Sequence, residues 1–262
     1  MVTLEAARAA ARDAGLTPCS IVLKRLDRAQ DVDVHLDDDV YLYPASMIKT
    51  PLAVATFDLV DRGELKLEDT VETTHANLTQ NDRPSPLQPG YRASLHELIE
   101  LMLTRSDNVA TNMLFDICGR ERATTIVQSA YGLRSTAFYR KVSGSEPLID
   151  DPHWDGTHRN MHNAGDAAKL FELIAQDGVP YADLLRATLL QQQFNDKLNR
   201  GLRPGDRFAH KTGDTDEVTH DGGLLDIAQG PSYVIVVYTG LPSNAANNAR
   251  FGPFMRAIRA LM

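Results

Sequence analysis

The hydrophobic period of this chain changes twice, and that change is the strongest constraint on its fold. Short runs rich in β-branched and aromatic residues lie near both ends and indicate strands. Between about residues 45 and 195, apolar residues instead recur at i, i+3 and i+4, which is typical of helices packed on one face. The predicted strands are 20–26, 32–36, 207–212, 222–228 and 233–239.

This pattern predicts an α+β fold with one five-stranded antiparallel sheet built from both ends of the chain. Terminal helices at 3–14 and about 246–262 are expected to pack on the sheet. The whole chain, 1–262, is then one domain in which 1–44 and 200–262 form the sheet lobe and 45–199 form an inserted all-α lobe. We expect the functional site in the cleft where these two lobes meet.

Charge and hydropathy narrow the class of partner. The chain carries 27 Lys and Arg against 35 Asp and Glu, a formal net charge of −8, which disfavours nucleic acid and anionic membranes and favours a small-molecule substrate. No apolar run approaches the roughly 20 residues of a membrane span. No secretory signal is visible, so we expect a periplasmic or secreted protein if a signal has been removed and a cytoplasmic one otherwise. We also expect a monomer.

Neither cysteines nor histidines suggest a metal or a cofactor. Cys19 and Cys118 are expected to be buried free thiols. His153, His158 and His162 lie close together in the sequence, but no acidic or cysteine partner stands at a known ligand spacing. A polar loop is the better interpretation, and the sequence predicts no cofactor and no metal site.

A candidate nucleophile and base occur at the start of the first helix of the inserted lobe, in Ser46-Met-Ile-Lys49. Residues i and i+3 share a helix face, so the Ser46 hydroxyl and the Lys49 amine can come within hydrogen-bond reach. A lysine whose pKa is lowered by burial can accept the serine proton. By itself the motif has a simpler interpretation, in which Ser46 only caps the helix.

Two further polar motifs follow along the chain. Ser106-Asp107-Asn108 falls between two predicted helices, where its side chains either cap a helix or line a site. Lys211-Thr212-Gly213 lies on the first late strand, where the cation and hydroxyl suit a carboxylate and the glycine permits close backbone approach. Polar residues on an edge strand would be the alternative.

These three motifs, in this order and in these contexts, are the set found in class A β-lactamases and penicillin-binding proteins. The chain therefore resembles this group of penicillin-recognising serine hydrolases over nearly its whole length, including the split sheet and the inserted helical lobe. The resemblance implies a small-molecule β-lactam or a D-Ala-D-Ala-like peptide as substrate.

The family mechanism also assigns roles by resemblance. Ser46 would form the acyl-enzyme and Lys49 would activate it or shuttle its proton. Ser106 would pass a proton to the leaving nitrogen, and Asn108 would bind the acyl-amide group. Lys211 and Thr212 would hold the carboxylate beside Gly213. The backbone N–H groups of Ser46 and Asp214 would form the oxyanion hole.

The sequence departs from the class A pattern at two positions. The glutamate that activates the hydrolytic water is replaced by Val142 in Arg140-Lys141-Val142, and Glu146 is the nearest carboxylate that could act as deacylation base. The arginine that faces the substrate carboxylate in many lactamases aligns with His220, which could donate the same bond.

Three functions therefore remain open. They are a hydrolytic β-lactamase with full turnover, a D-Ala-D-Ala carboxypeptidase or esterase, and a penicillin-binding sensor without turnover. Val142 weighs against fast hydrolysis of the acyl-enzyme.

Overall fold

One five-stranded antiparallel sheet forms the centre of the molecule, as predicted. The structure is a computed structural model that describes residues 2–28, 31–144 and 149–262. The strand order is β2-β1-β7-β6-β5, so β5 lies at one edge. These strands are β1 Cys19–Arg25, β2 Asp33–Leu36, β5 Arg207–Asp214, β6 Thr219–Asp226 and β7 Ser232–Thr239. A small sheet pairs β3 Thr70–Glu72 with β4 Arg92–Ser94.

Helices fill the middle of the chain and cover both ends. The α-helices are α1 Leu4–Ala14, α2 Lys49–Asp61, α3 Leu95–Thr104, α4 Asn108–Cys118, α5 Arg120–Ser129, α6 Ala164–Ala175, α7 Ala182–Leu189, α8 Ala245–Asn248 and α9 Phe251–Leu261. Short 3₁₀ helices span Ala45–Ile48, His75–Asn77 and Leu198–Gly201. The predicted C-terminal helix is therefore two helices.

Side-chain alternation along the central strands divides the core into two apolar layers. On β7, Val234, Val236 and Tyr238 face the helices of the inserted segment, whereas Ile235 and Val237 face the terminal helices α1 and α9. Both faces of the sheet are covered, which explains why β6 and β7 are buried along almost their whole length.

One expectation about the two cysteines needs adjustment. Cys118 is a buried free thiol, but the free thiol of Cys19 is only half-buried. Burial raises the pKa of each to about 11, so both remain protonated at neutral pH. Among the helices of the described residues, none is long and apolar enough to cross a membrane.

Candidate active site

Ser46 lies on the 3₁₀ helix Ala45–Ile48, directly before α2, rather than on the α-helix that the spacing predicts. This 3₁₀ helix packs against β5 at Gly213, where a Cβ atom would lie 2.8 Å from the Pro44 carbonyl oxygen. Glycine is therefore required at this position for close approach. Ser46 is half-buried, and its hydroxyl makes no hydrogen bond with any residue that the structure describes.

Lys49 is the first residue of α2 and is fully buried. Its Nζ donates to the Ser106 carbonyl oxygen at 2.6 Å, to Ser106 Oγ at 3.1 Å and to Asn108 Oδ1 at 2.7 Å. The expected hydrogen bond to Ser46 is absent from the described contacts. Hydrogen bonds of catalytic groups are often formed only with substrate in place, so this arrangement leaves the role of Lys49 as base intact.

The loop between α3 and α4 brings the second motif to Lys49. Ser106 has a left-handed backbone, with φ of 56°, and the two bonds from Lys49 hold it there. Asp107 caps α4 by accepting from the Ala110 N–H at 3.0 Å, so the capping interpretation holds for this residue. The Asn108 N–H in turn donates to Asn81 Oδ1 at 2.5 Å.

The third motif, Lys211-Thr212-Gly213, lies on β5 and reaches Ser106 from the sheet. Lys211 is fully buried, and its Nζ donates to Ser106 Oγ at 3.1 Å, the same distance as from Lys49 to that atom. The Ser106 hydroxyl therefore bridges two lysines. Thr212 lies next on β5, and its hydroxyl has no hydrogen-bond partner within the described ranges. The structure thus brings all three motifs together at the edge of the sheet.

The strand register gives the direction of the Asp214 N–H. The Thr215 N–H donates to the Val218 carbonyl, so 215 and 218 form a hydrogen-bonded pair. Because such pairs alternate with non-hydrogen-bonded pairs in an antiparallel ladder, the pair Asp214 and Thr219 is of the second kind. The Asp214 N–H therefore points away from β6, over the free edge of β5, as an oxyanion donor requires.

Burial changes the acid–base properties of both lysines. It lowers the pKa of Lys49 to about 7, although the nearby Asp107 and Asp82 act in the opposite direction. Burial, together with the neighbouring Lys49, also holds the pKa of Lys211 well below its usual range. A lysine that is partly neutral at physiological pH is a competent general base.

Val142 occupies a fixed position beside this cluster. Its N–H donates to Asn112 Oδ1 at 2.9 Å, and its carbonyl accepts from Asn112 Nδ2 at 3.0 Å. Asn112 lies one turn after Asn108 on α4, on the same helix face. The Val142 side chain is buried and apolar, and it offers no proton acceptor. Glu146, the other residue considered as deacylation base, lies outside the described residues.

The proposed carboxylate contact of His220 does not fit the structure. His220 lies on β6, between β5 and β7, and is fully buried. Its Nδ1 accepts from the Thr239 N–H at 3.1 Å, so the proton is on Nε2, which donates to the Tyr43 carbonyl at 2.8 Å. The ring also stacks on Tyr238. Burial lowers the pKa of His220 to about 4. Both nitrogens are thus committed to backbone, and His220 is a structural residue.

Of the three histidines that lie close together in the sequence, two have local partners. His162 is buried and hydrogen-bonds Thr136 Oγ1 through Nδ1, whereas His158 pairs with Asp155 on an exposed loop. Over residues 2–28, 31–144 and 149–262, no three His, Cys, Asp or Glu side chains lie close enough together to hold a metal ion.

Three residues at the site had not been singled out from the sequence. Asn81 holds Asn108, Asn112 holds Val142, and Lys197 binds the carboxylate of Asp214. A weak signal existed for Asn81, which opens the polar, proline-rich loop 81–90. Lys197 and Asn112 have no comparable local signal, because their roles depend on contacts with distant segments.

Comparison with known proteins places the chain in a family. The profile of the beta-lactamase enzyme family matches residues 4–258. The extended-spectrum β-lactamase PER-1 of Pseudomonas aeruginosa is 26% identical over 205 residues, which cover 74% of this chain and 66%, slightly under two thirds, of that protein.

Solved structures show the same fold. A PBP-A point mutant, described as an acyl-enzyme complex with penicillin G, is 25% identical at a TM-score of 0.84 and covers 98% of this chain and 96% of that one. A β-lactamase of Sphaerobacter thermophilus is 24% identical at a TM-score of 0.82, covering 99% of this chain and 98% of its own. With the family profile spanning almost the entire sequence, the chain belongs to the beta-lactamase enzyme family.

Proposed function

We propose that this protein is a serine hydrolase of the class A type that forms a Ser46 acyl-enzyme with β-lactams and hydrolyses it slowly. The observation that carries the proposal is the joint geometry of Lys49, Ser106 and Lys211. The expectation of slow hydrolysis is supported by the buried, apolar Val142, which the class A resemblance aligns with the glutamate that activates water. The relative PBP-A, whose mutant is described as an acyl-enzyme with penicillin G, supports the first half of the proposal.

In the acylation step, Ser46 Oγ attacks the lactam carbonyl carbon while the neutral Lys49 amine accepts the hydroxyl proton. The carbonyl oxygen becomes an oxyanion facing the N–H groups of Ser46 and Asp214. When the carbon–nitrogen bond of the ring breaks, a proton passes through the Ser106 hydroxyl to the leaving nitrogen. Because the ring opens without losing a fragment, the serine ester carries the whole mass of the lactam.

Hydrolysis of that ester needs a second proton acceptor, placed to activate water. Such general bases commonly contribute roughly a hundredfold or more. Val142 contributes none, and its backbone is fixed by Asn112 on the face of α4 that carries Asn108. We therefore expect the acyl-enzyme to accumulate.

The test is intact-protein mass spectrometry of wild type and Ser46→Ala mixed with benzylpenicillin, with released product measured in parallel. The proposal expects an adduct of one penicillin mass in wild type that persists for minutes to hours, and none in the variant. An adduct that also forms on Ser46→Ala would overturn the assignment of the nucleophile. Wild type without adduct or product would overturn β-lactam chemistry altogether.

Val142 also favours a second candidate function, a D-Ala-D-Ala carboxypeptidase or a related esterase, over a fast β-lactamase. Release of D-alanine from a D-Ala-D-Ala peptide, lost in Ser46→Ala, would support it. A persistent penicillin adduct with no peptide or ester turnover would instead support a sensor. Penicilloate released within seconds, without adduct, would show a working β-lactamase and overturn slow deacylation.

A further inference from the structure

A buried ion pair lies directly beside the Lys-Thr-Gly strand. Lys197 precedes the 3₁₀ helix Leu198–Gly201, is 1% exposed, and donates from Nζ to Asp214 Oδ1 at 2.7 Å and Oδ2 at 2.8 Å. The same ammonium donates to the His220 carbonyl at 2.8 Å, and the Gly213 carbonyl lies 3.4 Å away. A second cation therefore stands next to the strand that offers Lys211 and Thr212.

Asp214 is a partly exposed and ionised member of this pair. Its side chain remains 30% exposed, and it also accepts from Thr219 Oγ1 at 3.0 Å. Burial acts against ionisation, but the charge and hydrogen bonds of Lys197 lower the pKa of Asp214 overall, so the group is a carboxylate at neutral pH. Side chains alternate along a strand, so Asp214 lies on the same face as Thr212, about 7 Å along it.

This arrangement sets the charge that a substrate carboxylate meets. The Thr212 hydroxyl has no hydrogen-bond partner among the described residues, so it can donate to a substrate carboxylate. The next side chain on the same face of the strand, however, is the anion Asp214. Lys197 offsets that anion, and its ammonium is engaged by both oxygens of the Asp214 carboxylate. Of these two lysines, Lys211 has no acidic hydrogen-bond partner within residues 2–28, 31–144 and 149–262.

We propose that Asp214 is a specificity-determining residue: by engaging Lys197 it keeps the second cation out of the carboxylate subsite, so that the enzyme distinguishes weakly between acyl donors with and without a carboxylate. This inference rests on the proposed acyl-enzyme chemistry. It assigns to the Asp214 side chain a role separate from that of its backbone N–H.

The experiment compares acylation by benzylpenicillin with acylation by its methyl ester, which has the same lactam ring but no carboxylate charge. The measured quantity is the ratio of the two second-order acylation rates, obtained by intact-protein mass spectrometry. In Asp214→Asn, Lys197 becomes an unpaired cation beside Thr212, so the ratio is expected to rise about tenfold in favour of the acid. In Asp214→Asn combined with Lys197→Met, that rise should disappear.

Asp216→Asn is the matched control, because it removes the same charge from an exposed position two residues further along. It should leave the ratio unchanged. An equal fall of both rates in Asp214→Asn, with an unchanged ratio, would show that the pair only holds the strand and would overturn the inference. A rise of the same size in Asp216→Asn would also overturn it. If wild type forms no adduct with either compound, the proposed function fails and the inference fails with it.

Discussion

At the scale of single residues, the protonation of Lys49 decides how acylation depends on pH. With a pKa of about 7, the neutral amine increases roughly tenfold between pH 6 and pH 8. We expect the rate of adduct formation with benzylpenicillin to rise over this interval with a midpoint near pH 7. Lys49→Arg, which stays protonated throughout, should lose both the rise and most of the rate. A flat wild-type profile between pH 6 and 8 would contradict this role.

The slow deacylation that we propose depends on one side chain. Val142→Glu places a carboxylate where Asn112 already fixes the backbone, so the adduct should decay about a hundredfold faster than in wild type. Val142→Gln is the matched control, since it has the same shape without a proton acceptor. Time-resolved mass spectrometry of the penicillin adduct measures both. Equal lifetimes in the glutamate and glutamine variants would show that this position does not govern hydrolysis.

At the scale of elements, the contact between β5 and the 3₁₀ helix Ala45–Ile48 controls where Ser46 stands. A methyl group at Gly213 would lie 2.8 Å from the Pro44 carbonyl oxygen and 3.1 Å from Met47 Cγ, so one element must move. Displacements of this kind can cost up to a hundredfold in rate. We expect Gly213→Ala to fold and to acylate with benzylpenicillin roughly ten- to a hundredfold more slowly.

Gly252→Ala provides the control for this prediction. Its new methyl group would also be tight, at 3.2 Å from Arg200 Cβ, but it lies on α9, which packs on the other face of the sheet. Acylation should be unchanged in this variant, and thermal melting should show both proteins folded. A wild-type rate in Gly213→Ala would mean that the 3₁₀ helix adapts without moving Ser46.

The elements that the sequence predicted well are those fixed by local chemistry. The Ser106-Asp107-Asn108 motif lies between two helices as predicted, because α3 ends just before it and Asp107 caps the start of α4. The three motifs could also be predicted, because each is a run of three or four consecutive residues that can be read directly in the sequence. Roles that depend on contacts between distant segments could not be predicted from local sequence patterns. His220 was wrongly assigned to substrate because its strand is interior to the sheet, and the contacts of Lys197 and Asn112 arise only when remote segments pack together.

At the scale of the whole molecule, two apolar layers enclose the sheet, and this enclosure buries two histidines that are neutral when folded. His220 contacts Tyr43 on one side and Tyr238 on the other, whereas His162 hydrogen-bonds Thr136. Burial lowers the pKa of His162 to about 3 and that of His220 to about 4. Protonation of either therefore requires at least local unfolding.

The resulting linkage has a definite sign. An unfolded histidine takes up its proton near pH 6.5, but these two do not while the chain is folded, so stability is lost as pH falls from 6.5 towards 4. Each histidine should contribute a slope of about 1.4 kcal/mol per pH unit to the free energy of unfolding below pH 6. Urea titrations at several pH values measure this slope, and His220→Asn should reduce it by about that amount. His35→Asn is the matched control: partial burial lowers the pKa of His35, but its bonds to Asp38 and Asp33 raise it overall. A histidine with a raised pKa is protonated in both states below pH 6, so its removal should lower stability there without changing the slope. If His220→Asn does not fold, NMR of the wild-type ring protons replaces it. A His220 resonance that titrates near pH 6.5 in the folded protein would contradict the enclosed, neutral ring on which this argument depends.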